Sequence, residues 1–334
     1  MLSNPFISVV VPVRNEERFI ASTLHELLAQ DYPKDRFEII VADGESTDRT
    51  KEIVAGICGQ NPQVRLFDNP KGLSSSGRNI GFKNGKGDIF LVVDGHCYIG
   101  HGQLFKNIVA CFEKSGAQCL GRPQPLDPPE LSDFQKAVAL ARASRIGHGG
   151  DSLIYSSHEG FVSPVSHGAV YKREVFEKIG YVDETFDVCE DVDFNYCVDT
   201  AGFKSYMSPS IAIKYYPRES LAALWRQMVR YGKGRFQLLK KHPETFSIMG
   251  MPPIILVAGL ILLPLLGLVN PGFFKLFGFA YGLYLLVVLG ASFSIAFKAG
   301  IRHLRYLPMI YVVIHFGLGI GFVSKFVKNI FRQY

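Results

Sequence analysis

The chain has 334 residues, 48% of them apolar and 20% charged, with a formal net charge of +6. That length allows one large domain or two ordinary ones with ample core, while 33 Gly and 18 Pro spread without a period exclude collagen-like, coiled-coil and disordered classes. The charge is unevenly placed: residues 249–334 carry seven Lys or Arg and no acid, leaving 29 of the 36 basic and all 30 acidic side chains upstream. The basic excess therefore belongs to the tail, and it points to a membrane rather than to nucleic acid.

The six cysteines, Cys58, Cys97, Cys111, Cys119, Cys189 and Cys197, form no C-x-x-C pair and no His-coupled zinc spacing. They read as reduced thiols of a cytosolic region. The first apolar run, 6–13, contains Pro12 and runs into Arg14, Asn15, Glu16 and Glu17. It is too short for a secretory signal, so the N-terminus is expected to stay inside.

Residues 7–11 form a β-branched strand, after which Asn15 is placed to cap a helix with Phe19, Ile20, Thr23, Leu24, Leu27 and Leu28 on its apolar face. A second strand covers 37–42. Ser46 or Thr47 then starts a helix carrying Ile53, Val54 and Ile57, followed by a strand at 64–67, a helix at 75–84 and a strand at 89–93. Alternating βαβ units predict an α/β class: a doubly wound parallel sheet with its ligand at the carboxyl ends of the strands. Asp43 and Asp94 fall at two of those ends, and His96 follows closely. Neither a G-x-G-x-x-G nor a G-x-x-x-x-G-K-[ST] follows any strand, which disfavours dinucleotide and P-loop enzymes. What remains is a mononucleotide-type crevice lined by carboxylates. Carboxylates hold a diphosphate only through a cation, so Mg2+ or Mn2+ is implied.

Farther on, residues 147–167, with His148, His158 and His167 among Gly and Ser, read as a loop whose histidines lack metal spacing. Glu190 and Asp191 stand at the start of a helix that ends near Gly202. As acids at a helix N-terminus they favour the dipole; as a pair beside a ligand they supply a general base.

Leu221, Leu224, Trp225, Met228 and Val229 recur at helical spacing among Arg226, Arg230, Lys233 and Arg235. This amphipathic helix is expected in the headgroup layer, with packing on the front domain as the alternative. Three apolar stretches follow, 250–269, 276–297 and 306–324, each about the 20 residues that cross about 30 Å of hydrocarbon. The link at 298–305 carries three basic residues and should face the cytoplasm. Three crossings would then send Lys325, Lys328 and Arg332 outside, so either the upstream cluster dominates or the last segment is re-entrant. The expected organisation is a catalytic domain over 1–215, an interfacial helix region over 216–248 and a transmembrane domain over 249–334.

The motifs Val9-Val10-Val11-Pro12-Val13-Arg14-Asn15-Glu16-Glu17, Asp43-Gly44-Glu45-Ser46-Thr47-Asp48, Arg78-Asn79-Ile80-Gly81, Asp94-Gly95-His96 and Glu190-Asp191 appear in an order that resembles family 2 glycosyltransferases of the GT-A fold. With Trp225-Arg226-Gln227 and Tyr231-Gly232-Lys233-Gly234-Arg235 the chain looks closest to membrane-anchored exopolysaccharide enzymes of the succinoglycan type. The resemblance implies that Pro12, Val13 and Glu16 line the nucleotide pocket, that Asp43 accepts from a pyrimidine imide, and that Arg78 contacts base or phosphate. It makes Asp94 the first member of the family's D-x-D. His96 stands at the third position, either as a metal ligand or as a direct contact to the diphosphate; imidazole suits Mn2+ better than Mg2+. Asp191, beside Glu190, would be the general base, with inversion at the anomeric carbon. The processive members' Q-x-x-R-W here reads Gln227-Met228-Val229-Arg230-Tyr231, so Gln227 and Arg230 would reach acceptor or diphosphate, while the Tyr argues against a self-made polysaccharide channel. The implied activity is an inverting, metal-dependent transfer from a nucleotide-diphosphate sugar, a UDP-sugar by the same resemblance, to a polyprenyl-linked glycan at the cytoplasmic face of the inner membrane. The alternatives are a polyprenyl-phosphate sugar synthase and a non-catalytic membrane scaffold.

Overall fold

The computed structural model describes residues 4–147, 153–165, 167–245 and 247–331. They form two compact units: Met1–Pro128 with Leu153–Tyr216, and Pro129–Ser152 with Pro217–Tyr334.

The first unit is an α/β sheet domain. In chain order it contains β1 (Ile7–Val13), α1 (Ile20–Leu28), β2 (Phe37–Asp43), α2 (Thr50–Gln60), β3 (Val64–Asp68), α3 (Ser74–Asn84) and β4 (Ile89–Val92). Then come β5 (Cys97–Tyr98), α4 (Leu104–Ser115) and β6 (Cys119–Gly121). After α5 (Asp133–Ala143), which belongs to the second unit, the chain returns with β7 (Gly160–Val162), β8 (Gly168–Lys172), α6 (Arg173–Ile179), α7 (Glu190–Thr200), β9 (Ser205–Met207) and β10 (Lys214–Tyr215).

Eight strands make one sheet in the order β3-β2-β1-β4-β8-β6-β9-β7. The first four are parallel, as alternating βαβ units require. From β8 onward the sheet is mixed: β8 runs antiparallel to β4 and β6, and β7 antiparallel to β9. The expectation of a parallel sheet thus holds for one half only, since the second half is built from three- to five-residue strands too short to show a period. β1 and β2 are almost wholly buried, which explains their unbroken β-branched character rather than an alternating one. Helix α3 lies directly on β1 because position 81 is Gly: a Cβ there would sit 2.2 Å from Val10 Cγ1.

The helix starts differ from expectation. Asn15 does not cap α1, which begins at Ile20 with no side-chain cap. It adopts φ +56° and accepts from Thr47 N at 2.8 Å, while Ser46 Oγ accepts from Asn15 N at 2.9 Å. The two loops after β1 and β2 are therefore laced to each other. Helix α2 starts at Thr50 rather than at Ser46 or Thr47, its first turn met by Asp48 Oδ1 at 3.0 Å from Thr50 N. Side chains read as caps are spent on joining the loops at the carboxyl edge of the strands.

The second unit is helical: α5, α8 (Leu221–Lys241), α9 (Met251–Gly267), α10 (Gly272–Ala299) and α11 (Leu307–Ile330), with a 3-10 turn at Ile301–Arg305. Two helices, α10 and α11, are long and apolar enough to cross a membrane. The first of the three expected spans is a helix of 17 residues, about 26 Å long, at the lower limit of what crosses a bilayer. The apolar stripe of α8 is not left open. Leu224 and Met228 are buried in one cluster with Ala137, Val138 and Ala141 of α5 and Leu307, Ile310 and Ile314 of α11. α5 itself begins with a complete capping box between Ser132 and Gln135.

Candidate active site

The carboxyl edge of the parallel strands gathers the acids. Val13 of β1 pairs with Asp43 of β2, and Asp94 follows β4 by two residues. Asp43 is buried, and its Oδ2 accepts from Ser46 N at 3.1 Å. Its Oδ1 is buried with no donor among the described residues. Such an acceptor costs free energy unless a ligand supplies the missing N–H. Pro12 is half-buried, whereas the Val13 side chain is in the core, so Val13 meets the edge only through its backbone: its carbonyl accepts from Gly44 N at 2.8 Å.

Asp94-Gly95-His96 turns tightly against the loop after β1. A Cβ on Gly95 would lie 2.9 Å from Val13 Cγ1 and 3.0 Å from Glu16 Cγ, so glycine is what lets this turn close. Glu16 Oε1 then meets His96 Nδ1 at 2.8 Å, and the Tyr215 ring stands edge-on to the imidazole at 5.9 Å. With Nδ1 held by Glu16, any bond from His96 to a metal must come from Nε2. Among the described residues no three His, Cys, Asp or Glu converge into a metal cage. A half-buried carboxylate and an imidazole at a strand end do fit an ion shared with a diphosphate, whose oxygens supply the remaining ligands.

Arg78 comes from α3, and its Nε lies 3.4 Å from Glu190 Oε1 at the start of α7, an ion pair without hydrogen-bond alignment. Both side chains are largely withdrawn from solvent, 12% and 7% exposed. Burial lifts the Glu190 carboxyl above its ordinary range, against the pull of Arg78. Burial alone would lower Arg78, yet Glu190, Asp191 and Asp94 together hold it above its usual value. Asp191 is half-buried, and one oxygen accepts from Val192 N at 2.9 Å. The two neighbouring acids thus differ in burial: Glu190 is withdrawn in an ion pair with Arg78, while Asp191 feels the same guanidinium but keeps part of its side chain exposed. Asn79 of the same motif is structural, bonding Val182 O and Glu184 Oε1 at 2.8 Å each.

One residue at this edge escaped sequence reasoning. Arg122, directly after β6, is among the largest fully buried side chains of the described residues, with Nη2 on Val92 O at 3.2 Å and on Tyr215 Oη at 3.0 Å. Its Nε and Nη1 have no acceptor among the described residues, and Asp94 is among the groups that hold its charge in place. The only signal was positional: an ionisable residue directly after an apolar strand, as with Asp94.

Gln227 and Arg230 lie on α8. Gln227 donates to Tyr231 Oη at 3.4 Å and has a buried Oε1 without a donor among the described residues; Arg230 is exposed. Of the loop 147–167, His148 lies outside the described residues. His158 is exposed beside β7, and His167 is buried, its imidazole held below the usual range by desolvation, its carbonyl accepting from Arg122 N at 3.0 Å.

This edge can be set beside known proteins. The family model "Glycosyl transferase family 2" matches residues 8–180, and "Glycosyl transferase family group 2" matches 128–324. Succinoglycan biosynthesis protein ExoA of Rhizobium meliloti is 30% identical over 264 residues, covering 78% of each chain. A dolichyl N-acetyl-alpha-D-glucosaminyl phosphate 3-beta-D-2,3-diacetamido-2,3-dideoxy-beta-D-glucuronosyltransferase of Methanococcus voltae is 29% identical over 270 residues, 77% of this chain and 83% of that one. Among solved structures, mannosyltransferase PcManGT from Pyrobaculum calidifontis, in complex with GDP-Man and Mn2+, matches with TM-score 0.59 at 18% identity, over 100% of this chain and 89% of that one. TarS 1-349 of S. aureus in complex with UDP-GlcNAc matches with TM-score 0.52 at 16% identity, over 98% and 92%. At such identities these two likenesses concern the fold, which is that of GT-A enzymes. The sheet order, the acids along its carboxyl edge and the two family matches lead to one conclusion: this chain belongs to glycosyltransferase family 2 and is a glycosyltransferase.

Proposed function

We propose that the enzyme transfers a sugar from a UDP-sugar to a polyprenyl-linked glycan, with inversion, using Asp191 as general base. The observation that carries this reading is the contrast within Glu190-Asp191. Glu190 is occupied by Arg78, and Asp191 is the acid of the pair accessible at the sheet edge. A carboxylate there takes the proton of the acceptor hydroxyl as its oxygen attacks the anomeric carbon. Attack opposite the departing nucleoside diphosphate inverts that carbon, and a positioned base contributes roughly 10²–10⁴-fold. Asp43, with its unpartnered buried Oδ1, suits the imide N–H of a pyrimidine base. Pro12 and Glu16 border the same edge. A bound Mg2+ or Mn2+, held through Asp94 with His96 as a second donor, would offset the charge that builds on the leaving diphosphate.

The helical unit supports a membrane-bound acceptor: α10 carries no charge between Lys275 and Lys298 and exposes Phe279, Leu286 and Phe297 there. Residues 249–334 carry no acid, as suits an anchor beside anionic lipid at the cytoplasmic face of the inner membrane. Relatives with names tied to succinoglycan and to a dolichyl-phosphate-linked sugar favour the same acceptor class. Gln227 and Arg230 are retained as acceptor-side candidates. The test is a donor screen with the purified full-length protein, Mn2+ and a membrane lipid extract. Transfer from a UDP-sugar to lipid-pyrophosphate glycan is expected. Transfer to bare polyprenyl phosphate at an equal rate would favour a polyprenyl-phosphate sugar synthase, and no transfer or donor binding with any UDP-sugar would defeat the reading.

A further inference from the structure

Helices α8 and α11 run side by side in the same direction. A Cβ on Gly317 would meet Met228 Cβ at 2.6 Å, and one on Gly321 would meet Val229 O at 2.1 Å. Farther along, Phe236 packs edge-on against Phe322 and Phe326, and Lys240 Nζ donates to Asn329 Oδ1 at 2.7 Å. From Met228 to Lys240 and from Gly317 to Asn329 the two chains advance by equal steps. Gly232 brings the backbones into contact, since a Cβ there would lie 2.1 Å from Leu318 O. α5 continues the cover at the other end of α11: Asp133 pairs with Arg302 and Arg305, Phe134 meets Tyr306, Ser144 Oγ meets Tyr311 Oη at 2.8 Å, and Ile146 O meets His315 Nε2 at 2.7 Å.

That pairing conflicts with a crossing. Beside that seam α8 exposes Arg226, Arg230, Lys233 and Lys241. A helix locked backbone to backbone beside a spanning α11 would have to carry those cations into hydrocarbon, where they are among the most costly residues. The side of α11 turned away from α8 tells the opposite story. Met309, Phe316, Ile320, Val323, Val327 and Ile330 recur at i, i+7, i+11, i+14, i+18 and i+21, and all are partly or fully exposed. One face of the pair is basic and the other apolar, which is the character of an element lying in the headgroup layer.

We infer that α11 does not cross the membrane. It lies in the bilayer surface with its apolar stripe at the acyl boundary, α8 as its water-side partner, and Lys325 and Lys328 among anionic headgroups; crossings are left to α9 and α10. This rests on the membrane association proposed above. It also keeps Lys325 and Lys328 on the side of the basic link at 298–305, so these basic clusters face one leaflet.

The test uses the full chain carrying one epitope before Met1 and another after Tyr334, expressed in a bacterial host. Both epitopes should survive protease in intact spheroplasts and both should be lost in inverted vesicles. A C-terminal epitope cut in spheroplasts while the N-terminal one survives would overturn the inference. Flotation in a density gradient separates the two claims: protein that fails to float with membranes defeats the membrane reading itself, and the inference with it. A depth measurement adds a second arm. In a Trp225→Phe background, which removes the only Trp, Ile320→Trp near the middle of α11 should be quenched at least twofold more by lipids brominated near the headgroup than at the chain end. Stronger quenching at the chain end would mean that α11 spans.

Discussion

The two units bury comparable apolar sequences against different surroundings. In β2, Phe37–Asp43, every residue is buried, and the strand is closed by neighbouring strands and helices. In α10, 28 residues of still more apolar sequence, only Val288, Ser292 and Ala296 are buried. Charge follows the same division. The α/β unit withdraws several of its ions in opposed pairs, such as Arg65 with Glu38 and Arg78 with Glu190. The helical unit keeps its basic side chains at the surface. Apolarity alone therefore does not tell a sheet core from a lipid-facing helix; the neighbours of each residue do. The α/β unit satisfies its interior tightly except at a few atoms, such as Asp43 Oδ1, whereas the helical unit leaves apolar surface open.

The largest way to sharpen this contrast is at the acids of α7. Asp191→Asn should lower turnover by about two to four orders of magnitude while donor affinity stays within a few-fold, because a general base acts on the acceptor proton and not on the nucleotide. Steady-state kinetics with calorimetry of UDP-sugar binding reads both quantities. Turnover within threefold of the parent would remove Asp191 from the chemistry.

Next in size is the buried pair. Arg78→Met strands the Glu190 carboxylate in a site that already disfavours its charge, and a loss of about 3–5 kcal/mol in unfolding free energy is expected. The double variant Arg78→Met with Glu190→Gln should recover much of it, since no charge is then left alone. The sign with pH follows. In Arg78→Met, Glu190 is no longer pulled down by the guanidinium, so its folded-state value stands higher still above the unfolded one. That variant should be least impaired below the unfolded carboxyl range and lose stability as pH rises through it toward the folded value. Denaturant melts between pH 4 and 7 that showed the reverse slope would break the argument.

A third test concerns backbone approach. Gly81→Ala pushes a methyl to within 2.2 Å of Val10 Cγ1 at the α3–β1 contact. Overpacking of this kind costs about 1–3 kcal/mol. A thermal melt unchanged by the substitution would show that α3 shifts freely on the sheet.

How far the sequence revealed all this depends on the range of each interaction. Strands β1 to β4 were legible because each is an apolar run bounded by turn residues, and Asp43 and Asp94 were legible as acids at the ends of such runs. Arg122 was not, because a single Arg after a three-residue strand carries no pattern, and its partners Val92 and Tyr215 lie 30 and 93 residues away. The same holds for Glu190: its pairing with Arg78 joins residues 112 positions apart, and helix-terminal position alone suggested an acid favoured by the dipole. α8 showed its stripe plainly, but periodicity says that a face is covered and not by what. Its contacts with Gly317 and Gly321 of α11 come from residues about ninety positions on. Asn15 and Ser46 misled for a related reason, since a side chain suited to capping a helix is equally suited to bonding a neighbouring loop.

The smallest expected effect tests the other side of the comparison. In α10, Gly278, Gly282 and Gly290 have nothing within 4 Å of where a Cβ would stand. If that surface is open, Gly282→Ala introduces no clash. In water the change would favour a helix by about 1 kcal/mol through reduced backbone freedom. In lipid the gain is smaller, because a helix is already the only conformation that satisfies the backbone there. The unfolding temperature of the full-length protein in detergent should therefore stay the same or rise by a degree or two, in contrast to the fall expected at Gly81. A marked fall at Gly282 would mean that another protein surface, a second copy of this chain for instance, packs closely on α10. The apolar face of α10 would then be closed by protein as β2 is, and the difference between the two units would be one of partner rather than of solvent.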